Sequence, residues 1–265
     1  MTGAGAVLAL VLIEWTAGWV GAAAWTQSWD VVRRGHFRIT AYAVTALAVA
    51  SVFAANEAIP SGEPARTWPY VMAGFCLAYV VAQYLESNLI AVVTGGLAAV
   101  TGLVALFLVS SLISGWPMLL ATVTLLAGSV FVGAVTNGMM LGHWYLNQPG
   151  LKPWALARLT QLAIGGVIAS GVLGLVAVGK LTAAQTEGAV LGLPGFGESF
   201  GLAFYAIWLV LLVFSAVVVL AARRCIKIRS IQSATGLYYV AILTAGVAEF
   251  LVRYLMVNAA TDVIT

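Results

Sequence analysis

Long apolar runs separated by short polar connections dominate the chain. A helix that crosses about 30 Å of hydrocarbon needs about 20 apolar residues at about 1.5 Å each. The runs therefore predict one all-α domain over residues 1–265, a bundle of about eight transmembrane helices, with seven or nine as alternatives if neighbouring runs divide differently. The predicted spans are residues 3–25, 39–59, 68–86, 89–112, 116–142, 154–178, 200–222 and 231–257.

Composition agrees with a membrane protein and excludes several other classes. Apolar residues make up 62 % of the chain and charged residues 8 %, against roughly 45–50 % and about 25 % in soluble domains. The net charge of +3 comes from short basic clusters, which does not favour nucleic-acid binding. Cys76 lies in an apolar run and Cys225 in a basic segment, so neither a disulfide nor a metal site is predicted.

The basic residues also predict an orientation. Cytoplasmic connections of membrane proteins are enriched in Lys and Arg. Nine of the twelve basic residues fall in three alternate connections: Arg33, Arg34, Arg38, Lys152, Arg158, Arg223, Arg224, Lys227 and Arg229. These connections are predicted to be cytoplasmic, which places both termini outside, in what we expect to be a bacterial inner membrane.

Glu14, Glu249 and Arg253 are the ionisable residues of the predicted spans that need a reason, because a charge at membrane depth costs at least roughly 2.5–3.5 kcal/mol on insertion scales. Glu14 interrupts the first span, and it is expected to form a helix-to-helix hydrogen bond or to handle protons or contact quinone. Glu249 and Arg253 are four residues apart in the last span. They share one helix face and are predicted to form an ion pair, as a structural pair or as part of a proton or ligand path.

The two histidines are predicted to lie at the cytoplasmic boundary. His36 follows a basic cluster just before the second span, and His143 ends the fifth. Two imidazoles at matched depth are a requirement for bis-histidine haem b. The competing interpretation, which we favour, is contact with lipid headgroups beside interfacial aromatic residues.

Small residues predict where helices approach closely. Gly166, Ser170 and Gly174 are spaced four residues apart in the sixth span and form one smooth ridge on a helix. No repeat of fixed period is evident along the chain. This weighs against a transporter built from two related halves.

The last span resembles a known family. Residues 247–256, which hold Glu249 and Arg253, are similar to the Glu-x-x-x-Arg pattern of the integral-membrane anchor subunits of polysulfide, nitrite and dimethyl-sulfoxide reductases, the NrfD/DmsC-like group. Val252 stands where that family has glycine. The resemblance implies eight spans, a peripheral iron–sulfur partner and exchange of electrons or protons with quinone. Glu14 would have to supply the first-helix part of the quinone site.

The first functional hypothesis is therefore a membrane subunit of a respiratory or other redox complex, which anchors partner subunits, contacts lipid and quinone, and is not catalytic alone. Glu14, Glu249 and Arg253 are its candidate quinone or proton-handling residues. A small-solute or ion transporter is the first alternative. A cytochrome b-like subunit using His36 and His143 and a structural subunit without cofactor are the others. The sequence offers no catalytic motif and no metal-binding motif.

Overall fold

Helices form all the regular structure that is described. The computed structural model describes residues 1, 3–85, 87–148, 150–184 and 196–259. Its helices are α1 (Gly3–Gln27), α2 (Arg34–Ala58), a 3₁₀ turn (Pro64–Arg66), α3 (Trp68–Ala82), α4 (Asn88–Ser110), α5 (Met118–Trp144), α6 (Trp154–Val176), α7 (Val178–Thr182), α8 (Phe196–Lys227) and α9 (Ile231–Asn258). No strand occurs within these ranges, and the predicted all-α membrane bundle is confirmed.

Seven of these helices are long and apolar enough to cross a membrane. The predicted third span, residues 68–86, differs, because α3 has 15 residues. That length is about 22 Å at about 1.5 Å per residue, less than the thickness of the hydrocarbon. The carbonyl groups that follow α3 lie close to the basic start of α2: Arg34 donates to the Leu85 carbonyl and Arg38 Nε to the Gln83 carbonyl at 3.4 Å.

The relative directions of α1 and α5 show that α3 nevertheless traverses the bundle. Ser129 Oγ donates to the Glu14 carbonyl at 3.0 Å, and Asn137 Nδ2 donates to the Ala22 carbonyl at 3.1 Å. Both pairs are 115 residues apart, so α1 and α5 run in the same direction. An even number of passes, from α1 to α4, must therefore precede α5.

The two termini of the described chain lie at one end of the bundle. The Met1 amino group donates to the Leu112 carbonyl at 3.0 Å, and Trp116 Nε1 donates to the Met256 carbonyl at 3.0 Å. We call this end the terminus end. The opposite end holds His36 and His143 and is called the histidine end.

The packing order divides the bundle into two rings of four helices. In the first ring α1 packs on α2, α2 on α3, α3 on α4 and α4 on α1. In the second ring α5, α6, α8 and α9 follow the same order. The rings meet through α1 and α5, and the α1–α9 contact has its counterpart in the α5–α4 contact. The two halves of the bundle therefore share one order of packing, although no repeat of fixed period is evident in the sequence.

Glycines allow the closest approaches between helices. A Cβ on Gly18 would overlap the Ser129 carbonyl and one on Gly133 would overlap the Gly18 backbone, so α1 and α5 touch along their main chains. The predicted ridge on α6 is also used. A Cβ on Gly166 would lie 2.7 Å from Phe131 Cα, and one on Gly174 would overlap the Trp208 ring.

Two helices extend beyond their predicted ends and carry basic residues into regular structure. α2 begins at Arg34 rather than residue 39, and α8 ends at Lys227 rather than 222. Long basic side chains can extend from such helix ends while their apolar stems stay packed. Arg38, for example, lies over the Tyr84 ring, 4.7 Å from its centre.

Candidate functional site: a buried carboxylate–guanidinium triad and a cleft at the histidine end

Glu14, Arg253 and Glu249 form a buried triad between the two rings. Arg253 Nε donates to Glu14 Oε2 at 2.9 Å, and Arg253 Nη2 lies 2.7 Å from Glu14 Oε1 and 2.8 Å from Glu249 Oε2. None of the three residues is more than 1 % exposed. The structure thus brings together the three residues that the sequence indicated as candidate buried ionisable groups.

The other bonds of the guanidinium come from α5 and α9. Arg253 Nη2 also donates to the Thr124 carbonyl at 3.0 Å, and Nη1 lies 3.8 Å from Met256 Sδ. Gly128 provides the space, because a Cβ there would overlap both Arg253 Nη2 and Glu249 Oε2 and lie 3.0 Å from Glu14 Oε1. Three helices therefore enclose the triad: α1, α5 and α9.

The triad can act in two ways. Buried charges are tolerated only when they are paired and hydrogen-bonded, so the contacts fix α1 against α9 and give the triad a structural role. It can also hold a proton, because two carboxylates face one cation. The four-residue spacing predicted the Glu249–Arg253 contact. Nothing local in the sequence indicated that Glu14, 239 residues away, joins the same guanidinium.

A second polar group ties the first ring together near the histidine end. Gln27 and Gln83 exchange amide hydrogen bonds at 3.0 and 3.1 Å, and the Tyr79 hydroxyl donates to Gln27 Oε1 at 2.8 Å. All three residues are at most 1 % exposed. The sequence did not indicate this group, since amide residues at span ends resemble ordinary connection residues until their partners are known.

His36 lies inside the protein, contrary to the favoured prediction of headgroup contact. It is 1 % exposed, and its ring centre lies 4.9 Å from that of Phe37 and 5.9 Å from that of Trp144. Asn137 of α5 is beside the imidazole and donates to Thr26 Oγ1 at 2.8 Å. The earlier start of α2 explains the difference, because it turns His36 toward α5 instead of leaving it in a connection.

His143 lines a cleft between the end of α5 and the start of α9. The Tyr239 hydroxyl lies 3.3 Å from His143 Nδ1, and both side chains are exposed. The cleft has a volume of about 530 Å³ and is lined mainly by apolar atoms, with Gln232 and Thr235 as further polar residues. Gly142 and Gly236 lie in its wall. The sequence singled out His143, but Tyr239 was missed because it lies far along the chain.

The two histidines have different surroundings. His36 packs against aromatic rings within the bundle, while His143 faces Tyr239 of α9 at the surface. In the part of the chain that the structure describes, no group of three His, Cys, Asp or Glu residues could hold a metal ion.

Comparison with known proteins finds no relative of this chain. No protein-family model, no curated protein and no solved structure matches the chain. The resemblance of the last span to the NrfD/DmsC-like anchor subunits therefore stays a prediction.

Proposed function

We propose that the protein is the integral-membrane subunit of a redox complex and that it binds quinone in the cleft between His143 and Tyr239. The observation that supports this is the cleft itself, with a volume of about 530 Å³, mainly apolar walls, an imidazole and a phenol. A quinone combines an apolar ring and tail with two carbonyl oxygens that accept hydrogen bonds. Apolar walls with a few placed polar groups are what bind such ligands.

The two polar side chains suit the chemistry of quinone reduction. The Tyr239 hydroxyl and His143 Nδ1 are 3.3 Å apart, so one carbonyl oxygen beside the pair can accept a hydrogen bond from either group. Each quinone oxygen takes up a proton when the ring gains two electrons. An imidazole nitrogen can donate a hydrogen bond and pass a proton on, and the exposed His143 can replace its proton from water at the histidine end.

Burial directs the quinone to the cleft rather than to the triad. Glu14 is 0 % exposed, and Glu249 and Arg253 are each 1 % exposed, so a ligand cannot touch them unless the helices separate. Quinone contact by these three residues, an expectation from the sequence, is therefore not part of the proposal.

Blocking the cleft tests the proposal. Gly236 lines the cleft, and a Cβ built there has no atom within 4 Å, so Gly236→Phe would fill the space without displacing the protein. Gly165 of α6 is exposed and equally free of neighbours, which makes Gly165→Phe the matched control. Photolabelling with an azidoquinone should modify peptides from the ends of α5 and α9 in the wild type and in Gly165→Phe. Equal labelling of Gly236→Phe would contradict the proposal.

The redox part of the proposal concerns partner subunits. An anchor subunit is expected to pass electrons between quinone and attached chains that carry haem or iron–sulfur clusters. Purification from native membranes, followed by identification of the attached chains, tests this expectation. Recovery of a protein without redox partners would argue against a redox complex, whatever the outcome of the quinone experiment.

A transporter is the second candidate, and the two-ring architecture favours it. Many transporters consist of two related halves with polar residues at the junction, near the middle of the membrane. Here the triad joins α1 of the first ring to α5 and α9 of the second. Solute or ion flux into vesicles that contain only this chain, lost in Glu14→Gln, would support a transporter in place of a redox subunit.

A further inference from the structure

The triad has two acidic groups for one basic group. Two carboxylates, Glu14 and Glu249, converge on the single guanidinium of Arg253 at distances of 2.7–2.9 Å. If both carboxyl groups were ionised, one negative charge would stay uncompensated inside the bundle. An unpaired buried charge is strongly disfavoured, and such a group neutralises instead.

No second cation faces these carboxylates within the described residues. α1 has no ionisable side chain besides Glu14, and α4, which packs on α1, has none. α5 presents Gly128 and the Thr124 carbonyl to the triad, and its own ionisable residue, His143, lies at the histidine end. The charged residues of α2 (Arg34, Arg38, Glu57) and the basic residues of α8 (Arg223, Arg224, Lys227) lie toward their ends.

The hydrogen bonds leave places for a proton. Glu14 Oε1 and Glu249 Oε1 are buried side-chain oxygens with no hydrogen-bond partner, although the former is in ionic contact with Arg253. Both carboxylates also border the space left by the absent side chain of Gly128. Two like-charged groups that share one site cannot both ionise readily, and protonation of either one balances the charge.

We propose that the Glu14–Arg253–Glu249 triad is a proton-binding site that holds one exchangeable proton on its two carboxyl groups. The site makes the bundle able to take up or release a proton between its two rings. This inference is independent of the quinone proposal, since it concerns different residues at a different depth and does not require a ligand.

Infrared spectroscopy of the full-length chain in detergent at neutral pH tests the inference. A protonated carboxyl group has a C=O stretching band that is separate from carboxylate and amide bands and shifts in D₂O. We expect one such band in the wild type and its loss in Glu14→Gln and in Glu249→Gln, since each variant leaves one carboxylate paired with Arg253. The matched control is Glu57→Gln, an exposed carboxylate of α2, which should keep the band.

Two results would overturn the inference. The first is a wild-type spectrum without the band, which needs no variant to fold. The second is a band that persists unchanged in both Glu14→Gln and Glu249→Gln. Arg253→Met adds a check in the other direction: removal of the cation should leave both carboxyl groups protonated and increase the band about twofold, and a decrease would contradict the proposal.

Discussion

Gly128 of α5 lies directly against the Arg253 guanidinium of α9, so closely that a methyl group on its Cα would overlap Nη2. The absence of a side chain at Gly128 is therefore part of the site, because it gives three helices the room to enclose two carboxyl groups and one guanidinium. A close approach of this kind depends on the absence of a side chain.

Replacement of Gly128 by alanine should destabilise the protein. Overpacking costs about 1–3 kcal/mol, and at this position it would also disturb the ion pairs of Arg253. Thermal unfolding of the solubilised protein measures the change. Gly165→Ala is the control, because a Cβ at Gly165 meets no atom within 4 Å, and this variant should be neutral. Equal stability of the two variants would contradict the described packing.

Substitutions within the triad should affect stability as a unit. Arg253→Met removes the cation, so the carboxylate that it paired must take up a proton or stay uncompensated, which should cost about 3–5 kcal/mol. Either single Glu→Gln change keeps one ion pair and should cost about 1 kcal/mol, the net value of one hydrogen bond. The triple variant Glu14→Gln, Glu249→Gln, Arg253→Met should be more stable than Arg253→Met alone. Additive losses in unfolding experiments would show that the three side chains act independently.

The alternating helix directions predict the result of a topology experiment. A reporter that works only in the cytoplasm should be inactive when it is fused after Thr265 and active when it is inserted at Asn147, an exposed residue of the connection that precedes α6. The reason is that nine of the twelve basic residues lie in the connections and adjoining helix ends on the Asn147 side. Activity at both positions would mean that one helix, with α3 as the shortest candidate, does not cross.

The surroundings of the histidines predict the absence of a haem spectrum. Two axial ligands must face the same iron, but His36 packs on Phe37 and Trp144 while His143 faces Tyr239. We expect the purified chain to lack the split low-spin bands of bis-imidazole haem b. A haem spectrum that survives removal of all partner subunits and disappears in His143→Ala would contradict this expectation.

The sequence predicted those features that depend on local periodicity. Apolar runs indicated the long helices, the Gly166–Gly174 ridge indicated a close helix contact, and the spacing of Glu249 and Arg253 indicated their ion pair. The predicted ends of the helices were less accurate than the predicted positions of the helices. Arg34 and Arg38 belong to α2 because basic side chains are tolerated at the ends of membrane helices, so charge alone does not mark where a helix begins.

The features that sequence reasoning missed depend on long-range contacts. Glu14 meets Arg253, and Gln27 meets Gln83, only because α1 lies at the centre of the bundle. The two-ring arrangement was also missed, since the rings share an order of packing and not a pattern of residues. Tyr239 was missed because it meets His143 only through the antiparallel contact of α9 with α5.

The distance along the chain between Glu14 and Arg253 determines the order of events during synthesis. Ribosomes add about 5–20 residues per second, so the 239 residues that separate the pair take roughly 12–50 s to make. During that time α1 is available for insertion while its counter-ion does not yet exist, and its carboxyl group must stay protonated or remain outside the lipid. α9 therefore supplies the cation that the Glu14 carboxylate needs, and a nascent chain that stops before α9 should keep Glu14 protonated or leave α1 outside the lipid.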